Sequence, residues 1–215
     1  DWAVYHYCSG DRLMKIQCAT CGAEQQVVNP AAISVQCPYC DAISMLVDKD
    51  WKPTGKESRL SQGFSRLYCG ALCTIHGNEY RVVGRVRYSY GNGFWDEWYA
   101  LTDTGEGSWI TEDDHEFSVQ VEAPSEQVST DIQNLTIGDE LVIGEHTYRI
   151  LETGQAVCLG LEGELPKGLL PDETYRYADG GSLDGTHALG IEYDNTPPTI
   201  FIGRWIAAKD IIVAD

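Results

Sequence analysis

Alternation of apolar and polar residues, not a helical period, runs through most of this chain. Cys69, Ala71, Cys73 and Ile75 fall on one face of a short strand, and Gly77-Asn78 signals a turn. Tyr80, Val82, Gly84, Val86 and Tyr88 then share one face of a second strand, and Gly91-Asn-Gly93 marks another turn. Trp95 to Asp103 reads as a third strand, and Gly107-Ser-Trp109-Ile110 begins a fourth. No long amphipathic helix pattern occurs anywhere. The expected product is a meander of short antiparallel strands rich in aromatic and β-branched residues.

The pattern occurs twice. Leu67, Gly70, Ile75, Tyr80 and Arg81 recur in the same order and without a gap as Leu135, Gly138, Ile143, Tyr148 and Arg149. With two insertions allowed, Glu97, Tyr99, Leu101 and Asp103 align on Glu173, Tyr175, Tyr177 and Asp179, and Trp109-Ile110 aligns on Trp205-Ile206. This alignment serves as an internal control. Cys69 and Cys73 face Ile137 and Leu141, so they are expected in a core rather than in a metal site with His76. Arg81, Arg85 and Arg87 are expected to pair with carboxylates on a solvated face. Asp103, Asp179, Glu97 and Glu173 are expected to have strand-end structural roles.

Ahead of the first copy, Cys18-Ala-Thr-Cys21-Gly22 is followed by Cys37-Pro38-Tyr-Cys40. Two such pairs match a four-thiolate zinc site, because each tight turn aims both of its sulfurs at one ion. About thirty residues bury too little apolar surface to fold alone, so one structural zinc per chain would replace the missing core. Four thiolates leave no open position for catalysis. The stretch 48–63 is polar, carries Pro53 and Gly55, and reads as a linker with Trp51 as an anchor. Residues 123–130 read as a connector. Met14 is expected as a natural start, with residues 1–13 as a leader, tag or extension.

Composition narrows the role. The formal charge is −18, from 15 basic against 33 acidic residues. That disfavours nucleic acid phosphates and anionic lipid, and it suits a protein partner or a cationic small molecule. No apolar run approaches the roughly 20 residues of a membrane span, and no signal pattern opens the chain, so a cytoplasmic protein is expected. Phosphate-loop, zincin, nucleophile-elbow and EF-hand signatures are absent from the sequence. The insertions of the second copy collect Glu162, Glu164, Asp179, Asp184, His187, Glu192 and Asp194, a set that would hold a divalent cation or a polycation if it converged.

The motifs Val82-Val-Gly-Arg85, Trp95-Asp-Glu-Trp98, Glu162-Gly-Glu-Leu-Pro166 and Gly203-Arg-Trp-Ile206 resemble the domain-of-unknown-function 4178 family over about 64–214. The resemblance implies a bacterial cytoplasmic protein encoded beside polyamine-biosynthesis or membrane-stress genes, with no catalytic residues to carry over. The chain is thus expected to be mainly β. A zinc ribbon at 14–47, a linker at 48–63, a first module at 64–122 and a second at 132–215 are expected, the two tandem related antiparallel modules forming a pseudo-symmetric pair. The expected role is non-enzymatic scaffolding or protein interaction. The alternative is a small-molecule, polycation or divalent-cation site, either binding or hydrolytic, in the acidic loops of the second module.

Overall fold

The computed structural model describes residues 14–124 and 132–214. The expected leader at 1–13 and most of the expected connector lie outside the described residues. The strands run β1 Met14–Gln17, β2 Glu24–Val27, β3 Ser34–Gln36, β4 Ala42–Val47 and β5 Asp50–Glu57 in the N-terminal part. Next come β6 Leu72–Ile75, β7 Asn78–Ser89, β8 Phe94–Thr102, β9 Gly107–Asp113 and β10 Glu116–Glu122. The last group is β11 Glu140–Ile143, β12 His146–Leu165, β13 Thr174–Ser182, β14 His187–Glu192, β15 Thr199–Ile206 and β16 Ile211–Val213. The protein is mainly β, and every strand pairing is antiparallel.

Eight strands close on themselves. The order β7-β8-β9-β10-β15-β14-β13-β12 returns to β7 through a second pairing of β7 with β12. The result is an antiparallel barrel with four strands from each half, which leaves no open edge around the ring. Closure needs backbones to approach tightly where β7 meets β12. Gly84 and Gly163 face each other there, and a Cβ on Gly84 would lie 2.2 Å from the Glu164 carbonyl oxygen. Only glycine permits that crossing.

Bulges turn the long strands over. Register slips between Val82 and Gly84 on β7, and between Ile150 and Glu152 on β12. Tyr80 and Val82 therefore pack into an outer core with Cys73, Ile75 and Trp98, whereas Val86 and Tyr88 pack into an inner one. On β12, Tyr148 and Ile150 join an outer core with Leu141 and Ile143, and Ala156 joins the inner core. The single face expected for Tyr80 to Tyr88 is thus corrected, because one extra residue in a strand swaps its faces. A further bulge falls between Cys158 and Gly160. Its loosened backbone is satisfied by Ser58, whose Oγ donates to the Leu161 carbonyl at 2.6 Å and accepts from the Leu161 N–H at 2.7 Å.

The same registers correct the alignment of the two halves. Gly84 pairs with Tyr99 and Glu152 with Asp179, each just past a bulge, so Asp179 takes the place of Tyr99 and not of Asp103. Trp109 lies on the third barrel strand of its half and Trp205 on the fourth of the other, so those two residues are not counterparts either.

The stretch expected as a linker is corrected as well. Asp48 and Lys49 both have positive φ, at 52° and 71°, and make a two-residue hairpin turn from β4 into β5. Strand β5 escapes a hydrophobic-pattern reading because it is an edge strand with no buried residue, which also tolerates Pro53 and Gly55. Trp51 packs on Ile16, Val27, Ala32 and Val35. Strand β3 pairs with the end of β12, which joins this N-terminal part to the barrel wall.

Arg85 and Arg87 are not on a solvated face. Both lie on the outer wall of β7 under residues 58–63, and both grip Asp96 on β8 with paired bonds of 3.0 Å and 2.8 Å respectively. All three side chains are at most 6% exposed. Arg85 also lies over Trp98 and Arg87 over Phe94. Carboxylate pairing holds for Arg85 and Arg87, in a buried network, whereas Arg81 forms no ion pair among the described residues.

Candidate functional site: a cysteine cluster and the barrel interior

Two knuckles of like geometry bring four thiols together. Cys18 and Cys21 sit in the turn after β1, where the Gly22 N–H donates to the Cys18 carbonyl at 2.9 Å and Gly22 takes φ 75°. Cys37 and Cys40 sit in the turn before β4, where the Asp41 N–H donates to the Cys37 carbonyl at 2.9 Å and Asp41 takes φ 58°. The sulfurs of Cys18 and Cys40 are 3.7 Å apart, and those of Cys21 and Cys37 are 3.9 Å apart. Burial alone would raise the Cys18 thiol, but the backbone N–H groups of Cys21 and Thr20 outweigh it and bring it to about 7. This group of four fits a soft metal ion such as zinc.

The barrel interior is not filled. A cavity of about 320 Å³ opens between all eight barrel strands. Its walls are aromatic: Trp95 packs against Tyr88 at 5.2 Å, Tyr90 at 5.7 Å and Tyr177 at 5.3 Å between ring centres, while Trp109 and Phe201 close the opposite side. Alternation along each barrel strand sends acids to the same space, namely Glu97 from β8, Asp113 from β9, Glu152 from β12, Asp179 from β13 and Glu192 from β14.

One ammonium serves this interior. Lys167, on the loop that leaves β12, forms an ion pair with Glu192 and rests over Trp109 at 5.1 Å and Phe201 at 4.7 Å. Burial alone would depress its pKa, but Glu192 and Glu97 hold the charge and raise it. Burial pushes Glu97 up despite Lys167, and it pushes Glu192 to about 7. Asp179 fronts the open cavity rather than being covered by protein, yet wall atoms surround it. Desolvation, then Glu97, Glu152 and Glu192, push it to about 8. Among the described residues no cation lies within ion-pair distance of Asp179, Glu152 or Asp113. Tyr177 donates to Glu152 at 2.5 Å and the Trp95 ring N–H to Glu97 at 2.9 Å. Arg176 also lines the cavity, but its guanidinium lies over Tyr193 at 4.0 Å and donates to the Gln133 carbonyl.

The residues expected to form one site separate into four groups. Asp179, Glu192 and Asp194 line the cavity. Glu162 lies on the outer wall, 3.4 Å from Arg85. Glu164 accepts the Val28 N–H at 2.9 Å and the Asn29 N–H at 2.7 Å, clamping the N-terminal part to β12. Asp184 and His187 sit at the turn between β13 and β14. Sequence reading missed Glu97, Asp113, Glu152 and Lys167 as interior groups. For the acids the signal was alternation, obscured at Glu152 by the bulge on β12 and at Glu97 by the expected repeat alignment, which gave it a structural role; Lys167 lies on a loop and carries no such signal.

These features define a small all-β protein, a closed antiparallel barrel with a polar, aromatic interior and a cysteine knuckle pair on its wall. The chain belongs to the family described as Domain of unknown function (DUF4178), whose model matches residues 69–208. The matched region takes in the barrel and excludes the four-cysteine cluster. No curated protein and no solved structure matches the chain. Among the described residues no helix is long and apolar enough to cross a membrane.

Proposed function

We propose that the barrel is a receptor for a small organic cation of the polyamine type, on a chain whose four N-terminal cysteines hold one structural zinc. The observation that carries the reading is the excess of carboxylates in one aromatic-walled cavity. Asp179, Glu152, Glu97 and Glu192 face it, and Lys167 is engaged by the last two. An alkylammonium meets both of its needs there: carboxylates for its charge and ring faces for its cation–π attraction and methylene stem. Carboxylates crowded without counter-ions hold protons they would otherwise release, and a bound cation relieves that crowding.

Calorimetric titration with spermidine, putrescine and a quaternary ammonium tests the reading. Binding is expected for at least one, and the double variant Asp179→Asn plus Glu152→Gln should weaken it about tenfold or more, each tenfold being about 1.4 kcal/mol. Neutral polyols of similar size should give no heat. Absence of binding by all three amines, or an unchanged affinity in the double variant, would sink the proposal.

The zinc component rests on the two matched knuckles and the four converging sulfurs. Elemental analysis finding well below about one zinc per chain would remove it. The two four-stranded halves are further read as tandem copies, a reading supported by the shared positions of their first bulges and by the hairpins β6–β7 and β11–β12 that precede them. A second reading, a scaffold for a protein partner, is supported by Phe64, wholly exposed beside the half-exposed Tyr68. If Phe64→Ser leaves capture of partners encoded beside the gene unchanged, that reading loses its support.

A further inference from the structure

Away from the cavity and the cysteines, two turns of the second half bring three donor side chains together. His146 begins β12 just after the Gly144–Glu145 turn, while Asp184 and His187 flank the turn from β13 to β14. One donor atom on each lies within 4.8 Å of those on the other two. The two imidazole rings lie 4.0 Å apart between centres with a 35° tilt. Stacked half-exposed imidazoles repel when both are protonated, whereas two neutral rings can share one metal ion.

The neighbours orient this group in the way metal-binding side chains are oriented. Asp184 Oδ1 accepts from Ser182 Oγ at 2.5 Å, the Thr186 N–H at 3.0 Å and Thr186 Oγ1 at 2.7 Å. None of these bonds uses Oδ2. The Thr186 hydroxyl gives its one hydrogen to Asp184, so toward His187 Nδ1, 2.7 Å away, it acts as the acceptor. His187 is thereby held with its proton on Nδ1 and its lone pair on Nε2. The His187 backbone N–H closes the turn by donating to Ser182 Oγ at 2.9 Å.

We propose that His146, Asp184 and His187 form a second metal site, for a divalent transition ion of the zinc type. Two imidazoles and one carboxylate are the donor set that suits zinc, cobalt or nickel, and three protein ligands leave a coordination position open. Arg204 of β15 is the register partner of His187 on β14 and adds positive charge beside the site, which favours an anionic ligand in that open position. The site depends on neither the cavity reading nor the cysteine cluster.

Cobalt titration of the full chain separates the two metal centres. Cobalt on the cysteine cluster gives intense thiolate-to-metal charge transfer and strong long-wavelength ligand-field bands, whereas a second equivalent at the histidine site should add only weaker, shorter-wavelength ligand-field bands with no charge transfer. Elemental analysis after dialysis against micromolar zinc should find about two ions per chain, falling to about one in His146→Ala plus His187→Ala. The melting temperature of that variant measured without added metal should match the wild type, which separates ligand loss from misfolding. Thr186→Val should keep the second ion but weaken it about 10–100-fold. Absence of the added shorter-wavelength bands in the wild type, or their persistence in the double histidine variant, overturns the proposal, whatever the cysteine cluster does.

Discussion

At the scale of single residues, charge crowding decides the behaviour of the interior. Asp179 is pushed to about 8 against an ordinary 3.8, first by desolvation from the cavity walls around it and then by Glu97, Glu152 and Glu192. Between those two values the folded form keeps a proton that the unfolded form has released, so this group's contribution lowers stability as pH rises through that window. Thermal unfolding of the ligand-free protein should therefore fall from pH 5 to pH 8. Asp179→Asn should raise the melting temperature at pH 8 and flatten the slope; an unchanged slope would show that Asp179 does not carry the proton. Lys167 gives the opposite case. Lys167→Met leaves Glu97 and Glu192 without their cation and should cost about 3 kcal/mol at pH 8, as for other broken buried pairs, and less at pH 5, where the acids protonate. Urea unfolding at the two pH values checks both the size and the direction.

At the scale of elements, the bulges and glycines on β7 and β12 matter more than any strand's propensity. Each bulge lets one strand serve an outer core first and the inner core afterwards, so a half folds over its own hairpin and still contributes four strands to the ring. Burial of Trp98, Tyr148, Ile110 and Ile150 in the outer cores contributes roughly 1.5–3 kcal/mol for each side chain. The Gly84 crossing is the vulnerable point. Gly84→Ala places a methyl 2.2 Å from the Glu164 carbonyl oxygen and should destabilise by about 1–3 kcal/mol, read from the denaturation midpoint at constant slope. On the outer wall, Asp96→Ala strands two buried guanidinium groups and should cost about 3–5 kcal/mol, more than Arg87→Ala, which leaves Arg85 and Asp96 paired.

At the scale of the whole molecule, an N-terminal part that carries the four-cysteine cluster is fastened to a barrel, and Ile43 of that part joins the core of Val86, Leu161 and Leu165. The fastenings include the β3–β12 pairing, the Glu164 clamp on Val28 and Asn29, the Ser34 hydroxyl on the Lys167 carbonyl, the Lys56–Asp172 ion pair and Ser58 at the β12 bulge. Removal of metal by a chelator should raise amide exchange across 14–47 while strands β8, β9, β13 and β14 stay protected. Exchange that rises uniformly through the barrel would contradict this division. Glu164→Gln keeps one acceptor oxygen but drops the charge, and it should loosen 24–36 without altering metal content.

Local chemistry was legible without the fold. Turn residues, period-two alternation and the two cysteine pairs depend on neighbours within a few positions, so mainly-β structure and a four-thiol cluster followed from the sequence directly. Strand β5 was hidden because an exposed edge strand needs no apolar face. The cavity was hidden for a different reason. Glu97, Asp179 and Glu192 alternate regularly on β8, β13 and β14, but which face of those strands is the interior is decided only when the ring closes, and on β12 the bulge before Glu152 reverses the pattern where no local signal records it. Ring closure of β7 on β12 and the meeting of His146 with Asp184 and His187 join residues far apart in the chain. Tertiary structure alone decided them, because they are set by packing and backbone approach between strands rather than by the propensity of any one.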